Sequence, residues 1–196
     1  MGDETTSPAS QHDGSRPPLD ELLARHLPAL RVFVRLQAGP ALRQRESCSD
    51  LVQSTCLELV QGLDRVEWRG HDAFRAWLFA AALNKIRERD RYHHAARRDA
   101  GREVDDPREI EAAYGSLLSP SRVAMGHEKI AQLEAAFDQL STDHREVIVW
   151  CRVVGLSQDE VAARMGRTVD SVRNLLLRAL ARLAALADRA APPTRA

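Results

Sequence analysis

Residues 156–182, LSQDEVAARMGRTVDSVRNLLLRALAR, spell two short helices joined by a tight turn, and this pair limits the chain to folds able to carry it. Ser157 followed by Glu160 is a capping box, in which the hydroxyl accepts an orphan amide of the first turn and the carboxylate reaches back to the amide of the cap. Val161, Ala162 and Met165 then give an apolar stripe at helical spacing. Gly166 suits the left-handed position that closes a helix. Thr168 is placed to cap the next helix, whose Val172, Leu175, Leu176, Ala179 and Leu183 recur every three or four residues. A helix, a short turn and a second helix make the helix-turn-helix layout, in which the second helix enters the major groove of DNA.

Charge makes that reading sharper. Arg164, Arg167, Arg173, Arg178 and Arg182 lie along the motif. Arg173 and Asn174 fall near the start of the second helix, where groove-reading side chains sit. Arginine can pair two donors with guanine, and asparagine can do the same with adenine. Two blander readings stand beside this one: such arginines also form ordinary solvated surfaces, and capped turn-helix units also occur in protein-interaction modules.

Across the 196 residues, 28 basic side chains balance 28 acidic ones, so the total charge carries no sign of a nucleic-acid partner. Their distribution does. Residues 85–102 hold seven Lys/Arg against three Asp/Glu, and 103–112 hold five acids against one arginine. Screening over about 8–10 Å makes local patches matter more than the sum. Cys48, Cys56 and Cys151 are odd in number and far apart, which fits a reducing cytosol and neither a disulfide framework nor a zinc ribbon. No apolar run approaches the roughly 20 residues of a membrane span. The stretch MGDETTSPASQHDGSRPP lacks the apolar core of a secretion signal. The expectation is a cytoplasmic protein without membrane insertion, with residues 1–17 as a disordered tail.

Helical periodicity runs through nearly all of the remainder. Leu22, Leu23, Leu27, Leu30, Phe33 and Val34 share one face of a first helix. Ser47 and Asp50 offer a capping pair for a second, with Val52, Cys56, Leu59, Val60 and Leu63 as its apolar residues. After the polar loop DRVEWRGHD, Asp72 is placed to cap a third helix lined by Phe74, Trp77, Leu78, Ala81, Ala82 and Ile86. That helix turns basic toward its end, through Lys85, Arg87, Arg89 and Arg91 to Arg97 and Arg98. Residues 100–122 read as an acidic linker holding a short helix near Glu109–Tyr114. A second block follows, with Ile130, Leu133, Phe137 and Leu140, a helix start at STDHRE, and then Val147, Ile148, Trp150, Cys151 and Val154. Strand signals are nearly absent. The fold class is therefore all-α, two small helical domains joined by a flexible linker, the second containing the helix-turn-helix. The boundaries are 18–99 and 123–188, with the linker at 100–122 and a tail at 189–196.

In this order the elements resemble the extracytoplasmic-function (ECF) group of bacterial RNA polymerase sigma factors, of the sigma-70 type. SDLVQSTCLELV at 49–60 is similar to the family's D-x-V-Q-E-T-F helix, and FRAWLFAAALNKIRERDR at 74–91 to its F-R-x-W-L-x-x-I-A-x-N segment. LSTDHREVIVW at 140–150 and LSQDEVAARMGRTVDSVRNLLLRA at 156–179 resemble the two motifs of its C-terminal domain. The likeness covers roughly 19–187.

The resemblance implies a protein that binds core polymerase, recognises the −10 and −35 promoter elements and promotes initiation. Asp50, Leu51, Gln53 and Thr55 match positions that press on the β′ clamp helices, and the C-terminal domain would meet the β flap. Ser54 stands where the family usually has Glu. Asp50 as a plain cap and Gln53 as a solvated residue are the bland alternatives. For the −10 element, opening a duplex needs an aromatic or apolar pocket and a basic track. Trp68 and Arg69 in the loop, with Asn84, Lys85, Arg87 and Arg91 on the helix, supply those types, whereas Trp77 reads as core. For the −35 element, Arg167, Thr168, Ser171, Arg173, Asn174 and Arg178 occupy matching contact positions. Leu175 stands where Arg is common, which implies one phosphate or base contact fewer and a salt slope weaker by about one unit. An anti-sigma partner is usual in the family.

No catalytic constellation is present: there is no Gly-rich phosphate loop, no metal-spaced His/Cys set and no nucleophile beside a base. The expectation is a non-enzyme without cofactor or metal. His93 and His94 are adjacent and point apart on a helix. Glu103, Asp105, Asp106, Glu109 and Glu111 read as a solvated linker, not an acid/base or cation site. Two other classes stay open: a helix-turn-helix regulator acting without core polymerase, with an N-terminal dimerisation or sensing domain, and a helical interaction protein with no DNA role. A sensing domain has no reason to carry the 49–91 pattern.

Overall fold

The computed structural model describes residues 16–62, 68–95, 106–117 and 127–190, and every regular element among them is helical. The first module comprises α1 (Leu19–Gln37), the single-turn α2 (Pro40–Arg43), α3 (Cys48–Gly62) and α4 (His71–Ala95). Ser47 caps α3 by accepting the Asp50 amide at 3.0 Å. At α4 the cap differs from expectation. Gly70, in the left-handed region at φ 92°, precedes the helix and accepts the Phe74 amide at 3.1 Å. Asp72 lies inside the first turn and pairs with Arg75 at 3.1 Å. Helices α1, α3 and α4 pack on one another and bury Leu22, Leu30, Leu51, Leu59, Leu78 and Phe79. Residues 63–67, which include the expected apolar Leu63, lie outside the described residues.

The join between the modules is more structured than a short helix at 109–114. Helix α5 runs Pro107–Leu117 and lies along α1, with Ala113 and Tyr114 buried. Its acidic side stays out, with Asp106 and Glu109 exposed and Glu109 paired with Arg31 at 3.3 Å.

The second module holds α6 (His127–Asp138), α7 (Thr142–Ile148), α8 (Gln158–Met165) and α9 (Val169–Ala190). Ser141 caps α7 through the His144 amide. Beyond Ile148 the helix widens into a π-helical winding over Val149–Val154, and it closes at Gly155, φ 76°. The Leu156 amide returns to the Trp150 carbonyl at 3.0 Å. Wide turns of this kind are rare and mark places where packing overrides regular winding. Here the beneficiary is Trp150, 1% exposed at the centre of the molecule.

The two modules also pack against each other. Phe33, fully buried on α1, meets Phe79 of its own module edge-on at 5.0 Å and Trp150 of the other module at 5.3 Å. Buried residues from both modules therefore form one continuous core. Polar groups close the same seam. Arg35 donates Nε–H and Nη2–H to the two oxygens of Glu134 at 2.6 and 2.7 Å, and the Tyr114 hydroxyl donates to Glu134 Oε1 at 3.0 Å. Arg43 pairs with Asp138 and donates to the carbonyls of Arg35 and Ala38.

Truncating Phe33 removes aromatic packing on both sides of the seam. Phe33→Ala is expected to lower stability by about 3–5 kcal/mol, read by urea unfolding with far-ultraviolet circular dichroism. The loss should fall on one transition that includes the second module. A separate second-module transition at its wild-type midpoint would refute a shared core.

Candidate nucleic-acid interface

The helix-turn-helix forms as its local chemistry dictates. Ser157 Oγ accepts the Glu160 amide at 3.2 Å, and Glu160 Oε2 accepts the Ser157 amide at 2.7 Å, which completes the capping box at α8. Gly166, φ 63°, ends α8, and the Arg167 amide donates to the Ala162 carbonyl at 2.9 Å. Thr168 Oγ1 accepts the Ser171 amide at 3.2 Å at the head of α9. The first turn of α9 is thus held rigidly against the turn before it.

Helix α9 divides cleanly by face. Val172, Leu175, Leu176 and Ala179 are buried, and α9 packs on α6, α7 and α8. Arg173, Asn174, Leu177 and Arg178 are exposed. Arg173 pairs with Asp170 at 2.7 Å, and Arg178 Nε donates to the Asn174 carbonyl at 3.4 Å. Arg167 is exposed in the turn and pairs with Asp143 of α7. Ser171 is half-buried beside the cap.

Two expectations change here. Leu175 is 5% exposed and belongs to the packing stripe, so its side chain faces the module core and removes nothing from the outward face. Arg164 does not join the outward row, because its guanidinium lies 3.9 Å over the Trp150 ring. Burial, and then the nearby Arg87 charge, pull its pKa below the ordinary value, while Glu146 opposes them. Leu177, one turn beyond Arg173 and 63% exposed, is an outward residue that the apolar periodicity does not single out. Its signal is its position off the stripe that its neighbours Leu175 and Leu176 occupy.

On α4, Asn84, Arg87 and Arg91 are exposed and spaced three and four apart, which places them along one stripe. Arg87 reaches Glu146 of the second module at 3.0 Å. Lys85 is a correction. It is 8% exposed, turns toward α3 and pairs with Glu58, with Glu88 at 3.4 Å. The hydrogen bond to Glu58 raises its pKa, against a smaller opposing effect of burial. Its ammonium therefore ties α4 to α3 and does not face outward. Trp68 is half-buried, edge-on to His71 at 5.4 Å and 6.2 Å from Phe74. Arg69 next to it is exposed, and Trp77 packs beside Phe74 at 6.1 Å. The residues between Gly62 and Trp68 are outside the described set.

Helix α3 separates its own candidates in the same way. Asp50 and Gln53 are exposed. Leu51 and Thr55 are each 1% exposed, and Thr55 Oγ1 donates to the Leu51 carbonyl at 2.7 Å. Both face α1 and α4, so neither is a surface residue, a correction that follows from their place on the inner side of the helix. Leu57 and Val60, 57% and 48% exposed, continue the outward line from Asp50 and Gln53. For Val60 this corrects the expectation of an inward apolar residue. The signal for both is an excess of apolar residues on α3, more than one buried face can absorb.

Among the described residues no group of three or more His, Cys, Asp or Glu is placed to hold a metal ion. His93 instead pairs with Glu46 at 2.7 Å, and the side chain of His94 is outside the described set. Also among the described residues, no helix is long and apolar enough to cross a membrane.

Both modules have counterparts among known proteins. The chain matches Sigma-70 region 2 over residues 22–98 and Sigma-70, region 4 over residues 130–183. It is 30% identical over 171 residues to the ECF RNA polymerase sigma factor SigD of Mycobacterium tuberculosis, covering 87% of this chain and 77% of that one. It is 32% identical over 183 residues to the RNA polymerase sigma factor CnrH of Cupriavidus metallidurans, covering 92% of each. Among solved structures, CnrH in complex with the cytosolic domain of CnrY is similar with a TM-score of 0.50 and 34% identity, over 87% of both chains. The sigma factor RpoE in complex with the anti-sigma factor NepR from Bartonella quintana shares the fold with a TM-score of 0.58 at 24% identity, over 87% of this chain and 96% of that one.

The capping box that sets the start of α8 has a measurable charge signature. Hydrogen bonds from the Ser157 backbone and then its side chain hold the Glu160 carboxyl below the ordinary glutamate value of 4.5. A depressed folded-state value means that this contribution is present above about pH 4.5 and is lost as pH falls through the lower folded value. A carboxyl-detected NMR titration should therefore give Glu160 a depressed pKa that Ser157→Ala returns toward 4.5. An unshifted carboxyl in the wild-type chain would mean the box is not formed in solution.

Proposed function

The chain belongs to the ECF group of the sigma-70 family of RNA polymerase sigma factors, and we propose that its two modules divide one promoter between them. As a sigma factor it acts with RNA polymerase in transcription initiation. It supplies recognition and strand capture, and the polymerase supplies the bond-making.

The second module reads the −35 element through α9. The observation that carries this assignment is the outward face of that helix, where Arg173, Asn174, Leu177 and Arg178 stand exposed above a buried apolar stripe. Arg173 and Asn174 sit in the first turns, within reach of base edges, where each bidentate contact is worth about 1–3 kcal/mol of discrimination. Leu177 offers an apolar contact suited to a thymine methyl group. Arg167, Thr168, Ser171 and Arg178 serve the backbone, with the helix N-terminus favouring a phosphate.

The first module takes the −10 element. Asn84, Arg87 and Arg91 line one stripe of α4 and supply a track for single-strand phosphates. Trp68 and Arg69, just ahead of α4, receive an unpaired base. Lys85 contributes by holding α4 against α3 through Glu58.

Core polymerase meets the outward line of α3. Asp50 and Gln53 provide polar contacts to the β′ clamp helices, and Leu57 and Val60 provide apolar ones, a mixture typical of non-obligate interfaces. Leu51 and Thr55 hold the inner side of that helix. The second module docks on the β flap. Acting on polymerase, the factor works in the cytoplasm. An anti-sigma protein is a further partner, by analogy with the CnrY and NepR complexes of similar proteins.

Core polymerase with this chain should give a run-off transcript from a cognate promoter. Arg173→Ala with Asn174→Ala should weaken upstream-element binding by about 1–3 kcal/mol per lost base contact, and unchanged binding would remove both from the reading set. Replacing Asp50 and Gln53 with Ala should weaken holoenzyme assembly, measured by fluorescence anisotropy, without altering helical content. Normal assembly would shift the polymerase contact away from α3.

A further inference from the structure

We infer that His26 of α1 is a positioning residue for capture of the −10 strand: its ring backs Phe74, Phe74 backs Trp68, and Trp68 receives the unpaired base. The inference rests on the −10 reading above and deepens it by naming what holds the receiving tryptophan in place. Charging the His26 ring withdraws that support.

The geometry is a relay of rings from α1 to the residues just ahead of α4. The His26 imidazole is 9% exposed and lies 5.8 Å from the Phe74 ring. Phe74 is buried in the first turn of α4 and sits 6.2 Å from Trp68, which also meets His71 edge-on at 5.4 Å. Trp68 itself precedes the helix, on the far side of the left-handed Gly70. It therefore has no helical backbone of its own to fix its direction. Its orientation comes from the two rings of α4 against it, and Phe74 in turn packs on His26.

Charge makes the relay conditional. His26 Nε2, His71 Nδ1 and Arg75 Nε are buried without a hydrogen-bond partner among the described residues. His71 and Arg75, four residues apart, are neighbours on one face of α4. A buried ring nitrogen without a partner is tolerated as a lone pair and costs far more as a charged N–H. The groups that act on His26 add to that cost, because Arg25 beside it on α1 and Arg75 and His71 on α4 all disfavour its charge. Two acids lie near Arg75, and each is already engaged. Asp72 pairs with Arg75 at 3.1 Å, and Glu160, which also feels the Arg75 charge, is held in its capping box. Arg75 stays in place beside the second module, where a side chain at Gly155 would begin 3.7 Å from its guanidinium.

Burial first, then Arg25, Arg75 and His71, pull the His26 pKa below its ordinary 6.5. With the folded value below the unfolded one, the support is complete above about pH 6.5 and is lost as pH falls through the lower folded value. Beyond that point the neutral fraction drops about tenfold per pH unit.

The test uses the full chain, with 5-fluorotryptophan at its three tryptophans and each fluorine resonance assigned by Trp→Phe replacement. From about pH 8 to about pH 5, the Trp68 resonance should move with a midpoint below 6.5 while that of Trp150 stays still. His26→Phe keeps a ring against Phe74 and removes the proton, so its Trp68 resonance should stay at the high-pH position. Movement that persists in His26→Phe would belong to His71 and overturn the inference, as would a Trp68 resonance that never moves or one that moves only in step with Trp150. His26→Gln, also without charge, covers a Phe variant that does not fold, and the same flat profile is expected of it. The second measurement is binding of the holoenzyme to a single-stranded −10 oligonucleotide with 2-aminopurine at the captured base. Wild-type affinity should fall about tenfold per pH unit below the midpoint relative to His26→Phe, and identical pH profiles for the two would overturn the inference. Polymerase groups titrate alike in both, so the ratio isolates His26. Failure of the −10 reading has a different mark: Trp68→Ala would then bind the oligonucleotide as tightly as wild type at high pH.

Discussion

Glu134 is a carboxylate that the fold has taken out of water, 8% exposed between three helices, and its partners determine how the molecule is assembled. Arg35 supplies two hydrogen bonds from α1 and Tyr114 one from α5. Burial alone would lower the Arg35 pKa, but the Glu134 hydrogen bond and charge outweigh it and raise it, so the guanidinium stays charged. Burial first, and Glu134 second, push the Tyr114 phenol well above its ordinary value, so it stays a neutral donor. A buried pair of this kind adds little stability over a well-packed apolar pair, yet losing one partner costs about 3–5 kcal/mol. Its effect is therefore on arrangement: the docking of α6 onto α1 and α5 satisfies all of these groups together.

The rest of the seam follows from that docking. With α6 fixed on α1, the end of α7 comes to Phe33, and the π-helical winding lets Trp150 fill the space beside it. Helix α7 then lies between α4 and the turn before α9, with Asp143 paired to Arg167 of that turn and Glu146 paired to Arg87 of α4. The outward residues of α9 remain uncovered, and so does the outer line of α3.

What can be read from the sequence is local. Ser157 with Glu160, Gly166 and Thr168 act on amides within four residues, so the spacing of the residue types is enough to place α8, the turn and α9. The all-helical class follows from apolar periodicity in the same way. Face assignment is less secure where a family pattern, and not periodicity, picks the residues. Leu51 and Thr55 match positions the family uses, Leu175 stands where the family commonly has Arg, and Lys85 is one basic residue of a basic run, yet each lies on the inner side of its helix. Glu58 draws Lys85 inward, and no spacing rule pairs residues on two different helices. The seam between the modules is out of reach for the same reason. Arg35 and Glu134 are ordinary surface residue types on their own helices, and only the packing of α1, α5 and α6 brings them together. The linker shows its acidic side in composition, but its buried Tyr114 gives no local sign of a partner 20 residues on.

The most direct test is single-molecule energy transfer between dyes at Ala24 and Ala184, exposed positions on α1 and α9. It would be recorded for the free chain in dilute buffer. High transfer is the expected result, since α1 and α9 belong to one continuous core. Low transfer in the free chain would contradict a single core shared by the two modules.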